Sequence, residues 1–197
     1  MIASTTLATV TTATSNPTMW YVTRAAAISC YVTLTGTVGL GLLRSMARTE
    51  RRPNATYLWL LDESHQFLAL LTAAFLALHL VSLVLDSYLP FSLANLLIPF
   101  NEPYKELPVA LGVLALYAMA IVLATSWLRR RISYTFWRRL HYVSFAVFVL
   151  VTAHGLLAGS DTGQPWASAM YFGASAFIGV LTLVRIFAAP RPQVVRR

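Results

Sequence analysis

Long, nearly uninterrupted apolar stretches dominate this chain, and its polar residues gather between them. A helix needs about 20 mostly apolar residues to cross a bilayer. Five stretches reach that length: Met19–Leu43, Ser64–Leu85, Leu107–Leu128, Trp137–Leu157 and Ala167–Ala189. Asp62, Glu63 and Ser64 stand where they can cap the first turn of the second stretch. Pro190 follows the fifth, and proline cannot continue a helix. The fold class expected is all-α, an integral membrane bundle of five transmembrane helices spanning residues 19–189. Residues 1–18 are rich in Thr, Ala and Ser and carry no charge. They lack the basic region and compact apolar core of a secretory signal, so they read as a flexible N-terminal tail.

Composition supports the membrane reading. Only 11% of the 197 residues are charged, against about 25% in a soluble domain, and the mean hydropathy is +0.64. The net charge of +8 would suit a nucleic-acid partner, but the charges are confined to short loops, which argues against one. Their distribution fixes an orientation instead. Arg44, Arg48, Arg51 and Arg52 follow the first stretch. Arg129, Arg130, Arg131, Arg138 and Arg139 lie around the start of the fourth, and Arg185, Arg191, Arg196 and Arg197 close the chain. With five spans all of these fall on one side: thirteen of the fifteen basic residues, leaving Arg24 and Lys105 opposite. Loops rich in Lys and Arg stay cytoplasmic. The N-terminus is therefore expected outside, and the C-terminus, with a basic tail over residues 190–197, inside. The external loop from Asp86 to Glu106 contains an apolar run, Phe91 to Phe100, too short to span. It reads as a short interfacial helix or as a segment tucked against the bundle as a lid. The single cysteine, Cys30, reads as a small buried apolar side chain.

The chemistry lies in four histidines. His65 and His79 are fourteen residues apart in the second stretch, and His141 and His154 are thirteen apart in the fourth. Ionisable residues inside a membrane are costly and mark functional sites. The two stretches run parallel, and at 1.5 Å per residue the offsets are roughly 21 and 19.5 Å. Each level therefore holds one histidine from each helix: His65 with His141 near the cytoplasm, and His79 with His154 near the exterior. Two axial imidazoles on a haem iron require a gap of roughly 12–14 Å between helix axes, wider than the 8–10 Å of close-packed helices. An offset of fourteen residues brings the second histidine to about 40° from the first, whereas thirteen leaves it about 140° away. The fourth stretch thus needs a local distortion, for which Gly155 and Gly159 are candidates, or its two sites are approached from different azimuths. On the pattern alone a haem-free proton or metal pathway stays open, although no carboxylate lies within a span to serve it.

These residues carry a resemblance. With Thr23-Arg24-Ala25-Ala26, His65-Gln66-Phe67, Phe136-Trp137-Arg138-Arg139-Leu140-His141 and His154-Gly155-Leu156-Leu157-Ala158-Gly159, the chain resembles the ferric reductase-like transmembrane domain family, over roughly Trp20 to Arg185. That family includes the membrane parts of NADPH oxidases and ferric reductases, and the haem-bearing membrane partner of bacterial periplasmic methionine sulfoxide reductase. The resemblance implies two b-type haems, with His65 and His141 on the inner iron and His79 and His154 on the outer, and makes the thirteen-residue interval an expected feature. It also implies a propionate partner in Arg24, whose alternative role is snorkelling to the outer surface. Gly36, Gly39 and Gly41 suit close approach of helices or of a flat macrocycle.

The function expected is transmembrane electron transfer in a bacterial cytoplasmic membrane. No Gly-x-Gly-x-x-Gly occurs, so the donor is expected to be separate, a flavoprotein docking on the basic face or a membrane quinol. The acceptor at the outer face is ferric iron, oxygen, quinone or a protein, and whether the chain itself turns over a substrate stays open.

Overall fold

The computed structural model describes residues 17–48, 54–86, 91–103 and 105–187. Among these, every regular element is helical: α1 (Thr18–Ala47), α2 (Ala55–Leu85), α3 (Leu93–Leu97), α4 (Glu106–Trp127), α5 (Tyr134–His141), α6 (Val143–Ala158) and α7 (Pro165–Phe187), with a 3₁₀ turn, Leu128–Arg130, after α4. Five helical spans are long and apolar enough to cross a membrane; α4 with its 3₁₀ turn makes one and α5 with α6 another. The tail read over residues 1–18 lies almost wholly outside the described residues. So do Arg51, Arg52, the stop at Pro190 and the basic tail with Arg191, Arg196 and Arg197.

The helices form two close-packed pairs, α1 with α2 and α4 with α6, while α7 packs on α1 and α6. The pairs meet in a core of Tyr31, Leu34, Val38 and Leu42 from α1, Met119 from α4, Val147 and Phe148 from α6, and Ile178 from α7. α2 and α6 are not a packed pair, which leaves the gap that the two histidine-bearing helices need. Glycines bring α1 close to its neighbours. A Cβ on Gly36 would stand 2.8 Å from Leu68 Cδ1, and one on Gly39 the same distance from Phe177 Cε1. The outward surfaces stay apolar, with Phe67, Leu70 and Phe172 well exposed, as acyl chains require.

Ion pairs and polar contacts sort the two ends of the bundle. At one end Arg44 and Arg48 both bind Asp62, Arg185 donates to Ser45 Oγ at 2.8 Å, and Arg129 lies over the Trp137 ring. At the other, Arg24 pairs with Asp161, and Lys105 donates to the Ala158 carbonyl, left free at the end of α6, at 3.1 Å. α2 and the α5–α6 span therefore run in the same direction, from the arginine-rich end to the other.

Two elements differ from the sequence expectation. α2 begins nine residues before Ser64, because Asn54 caps it by accepting from Tyr57 N. Asp62 lies inside the helix and binds arginines instead of capping. The fourth span is broken at Tyr142, not at Gly155 or Gly159. Tyr142 N is shared between the Arg138 and Arg139 carbonyls, and Phe145 N reaches back only to Tyr142 O, a local tightening of the helix. Gly155 sits beneath the Tyr171 side chain, and Gly159 is the C-cap of α6.

The apolar run before α4 forms the short helix α3 and touches α4, with Leu93, Leu97, Ile98 and Phe100 exposed. Ser92 and Asn95 form a capping box for α3, Leu96 is buried, and Tyr117 Oη donates to the Leu97 carbonyl. Tyr117 lies roughly 16 Å along α4, so the segment follows the side of that helix.

The Gly39 contact is directly testable. Gly39→Val is expected to destabilise the α1–α7 packing by about 1–3 kcal/mol, as overfilled interfaces do. Gly179→Ala, where nothing lies within 4 Å of the added Cβ, should stay within about 0.5 kcal/mol. Thermal unfolding of the detergent-solubilised variants measures both.

Candidate di-histidine centres

Each level of the bundle begins with a backbone carbonyl. A helix carbonyl accepts one N–H from its own helix and keeps a second lone pair. Three histidines use that lone pair on a neighbouring helix. Nδ1 of His65 bonds Thr37 O of α1 at 2.9 Å, and Nδ1 of His79 bonds Thr23 O of α1 at 3.1 Å. Nδ1 of His154 bonds Pro108 O of α4 at 2.7 Å. A carbonyl can only accept, so Nδ1 is the protonated nitrogen in all three. Nε2 then carries a lone pair available to a metal, the arrangement that outer partners commonly impose on ligating histidines.

At the arginine-rich level His65 and His141 face each other across the gap between α2 and α5. Their ring centroids are 6.1 Å apart and their planes 64° apart. Two imidazoles joined through one metal atom, with metal–nitrogen bonds of about 2 Å, place their centroids roughly 6 Å apart, and their planes need not coincide. His141 stacks on Trp137, one helical turn earlier, at 5.0 Å and 26°, and Arg129 covers that indole at 5.2 Å. Among the described residues, His141 Nδ1 and Trp137 Nε1 are buried without a hydrogen-bond partner. Two buried nitrogens without a partner beside a facing imidazole pair suit a site that receives a polar group.

At the other level His79 and His154 come within electrostatic range of each other. Thr23 Oγ1 donates to Ser82 Oγ at 2.8 Å, tying α1 to α2 beside the His79 contact. Arg24 follows Thr23 directly. Its Nε donates to Asp161 at 3.0 Å, a second nitrogen completes the pair, and its guanidinium lies over Trp20. The bundle thus brings His65 and His141 together and sets His79 and His154 toward the other end, where Arg24 follows the Thr23 acceptor of His79.

The break at Tyr142 falls within the thirteen-residue interval. His141 ends α5 and His154 belongs to α6, so the 100° step is not carried unbroken from one to the other. Among the described residues no three His, Cys, Asp or Glu side chains converge. The donor set is thus two imidazoles per level, too few for a protein-caged zinc and the number that a planar macrocycle leaves to be supplied. The sequence reading missed Trp137 as a neighbour of His141, although its i, i+4 spacing was visible. It missed Gly112, which borders His154, and every backbone acceptor, for which no side chain is a signal.

A family model described as ferric reductase like transmembrane component matches residues 35–152. The match covers more than half of the chain and includes His65, His79 and His141; His154 lies two residues beyond it. No curated protein and no solved structure matches the sequence. Domains of this kind generally bind haem. Five apolar helices among the described residues, parallel histidine-bearing spans and a family match that covers the second span and most of the fourth have one reading: the chain is a multi-pass membrane protein that belongs to the ferric reductase-like transmembrane family.

Proposed function

We propose that this protein carries electrons across a membrane through two b-type haems, His65 and His141 ligating one and His79 and His154 the other. The observation that carries the reading is the tethering of three imidazoles through Nδ1 to carbonyls of adjacent helices, which presents Nε2 for ligation. The 6.1 Å spacing of His65 and His141 supports it. Haem b with both axial positions filled supplies one-electron chemistry and leaves no open site for oxygen. The chain's own part is to hold four imidazoles at two depths, roughly 20 Å apart along α2, and to keep hydrocarbon around them.

Charged residues fit the same reading. Arg24 spends two N–H groups on Asp161 and retains others of its five for a propionate. Arg129, Arg130, Arg131, Arg138 and Arg139 are exposed at the other end. By the positive-inside rule that end is cytoplasmic and the N-terminus is outside, and the resemblance to compact bacterial members favours a bacterial inner membrane. The basic face suits an acidic flavoprotein donor, with a membrane quinol as the other source. The acceptor at the outer face is ferric iron, oxygen, a quinone or a protein. The family description favours ferric iron reduced at the outer level as the second reading.

Purified protein is expected to contain two haems per chain and to give a dithionite-reducible b-type spectrum. Replacing His65 or His141 by alanine should remove one haem, and replacing His79 or His154 the other. A colourless protein or one haem per chain would refute the pairing. With Cys30 replaced, a cysteine at Gly163 should react with an impermeant maleimide in intact cells and one at Arg131 only after permeabilisation; the reverse would invert the orientation. Stopped-flow reoxidation separates conduit from reductase. Rapid oxidation by ferric chelate alone indicates a reductase, and inertness towards chelate, oxygen and quinone indicates a protein acceptor.

A further inference from the structure

We infer that Gly112 and Gly41 are positioning residues for the haem ligands, each keeping a helix carbonyl open so that a histidine can dock on it. The inference rests on the two-haem reading and names what sets the orientation of its imidazoles. His154 docks on the Pro108 carbonyl and His65 on the Thr37 carbonyl. In both cases the residue four positions further on is glycine: Gly112 and Gly41. That residue donates the helical N–H to the same carbonyl. Its Cα–Cβ bond would tilt back toward the helix N-terminus, over the lone pair that the imidazole occupies.

The clearances bear this out. A Cβ on Gly112 would stand 2.8 Å from both Cε1 and Nδ1 of His154. One on Gly41 would stand 3.2 Å from Cε1 and 3.6 Å from Nδ1 of His65. Neither ring can swing aside freely, since Nδ1 is held by the carbonyl and the opposite edge is committed to the metal. His79 marks the boundary: the residue four beyond its Thr23 acceptor is Ala27, and its hydrogen bond, 3.1 Å, is the longest of the three. Gly36 and Gly39 belong to a different class, because an added Cβ there meets Leu68 and Phe177 and no ligand.

The experiment compares Gly112→Ala and Gly41→Ala with Gly36→Ala, which has an equally short contact but to a leucine methyl. A further control is Gly173→Ala, which has open space. Haem per chain, electron paramagnetic resonance of the oxidised protein and a potentiometric titration are measured on each. Gly112→Ala should weaken retention of the His79–His154 haem by about 10–100-fold, the range usual when a partner orienting a metal ligand is lost. It should shift that haem's resonance and midpoint potential and leave the other haem unchanged. Gly41→Ala should act on the His65–His141 haem alone and less severely, and both controls should keep both signals. If Gly112→Ala does not accumulate, Gly112→Ala/His154→Gly supplied with imidazole decides. Restored haem places the conflict at the tethered ring, and unrestored haem overturns the inference. Unchanged resonances and potentials in Gly112→Ala would also overturn it, as would Gly36→Ala disturbing a haem equally. Wild-type protein without haem would overturn the two-haem reading, and two haems with a silent Gly112→Ala only this inference.

Discussion

An imidazole within hydrocarbon has one N–H that must go somewhere, and this requirement organises the bundle. A buried donor without a partner costs about 1–3 kcal/mol, and an interhelical hydrogen bond in a membrane returns roughly 0.6–2 kcal/mol. The chain meets the requirement with backbone, sending Nδ1 of His65, His79 and His154 to carbonyls of α1 and α4. Each bond does two jobs: it satisfies the donor, and it locks the tautomer that leaves Nε2 free. α1 thereby orients both histidines of α2, and α4 orients His154 of α6. The two helix pairs that pack most closely are the pairs in which one member carries the tethered histidine and the other supplies its acceptor.

That division of labour explains the gap. α2 and α6 carry His65, His79 and His154 and are not packed on each other, so their separation must be maintained from outside. α7, seated against α1 and α6, joins the pairs, with Ile178 in the shared core. Tyr31 of α1 stacks on Phe148 of α6 at 6.0 Å and donates or accepts at Thr152, 3.1 Å away. Close packing elsewhere keeps α2 and α6 apart.

Much of this was legible in the sequence. Apolar length gave the five spans, and the arginine distribution gave their grouping by end, because a membrane taxes charge and length directly. The four histidines stood out for the same reason. The start of α2 was misread because Asn54 competes with Asp62 and Ser64 as a cap, and only the packing of Asp62 against Arg44 and Arg48 shows which one the helix uses. The break at Tyr142 was misplaced because glycines advertise distortion while a tightened turn at tyrosine has no compositional mark. The carbonyl acceptors were invisible since every residue has one. What the sequence does record of them is the absence of a side chain four positions on, at Gly41 and Gly112.

The two levels are not chemically alike. At the Arg24 end both histidines have their N–H satisfied by backbone, and the neighbouring cation is paired with Asp161. At the arginine-rich end His65 is satisfied, while His141 Nδ1 and Trp137 Nε1 have no partner among the described residues. A folded chain keeps such groups where something outside its own contacts completes them. Both orphans lie on α5, the short segment between the exposed arginine cluster and the break at Tyr142, with the Arg129 guanidinium over the indole. The better-satisfied level is thus fixed by the bundle alone. The other is built from a helix end, a stacked tryptophan and the Arg129 cation over it.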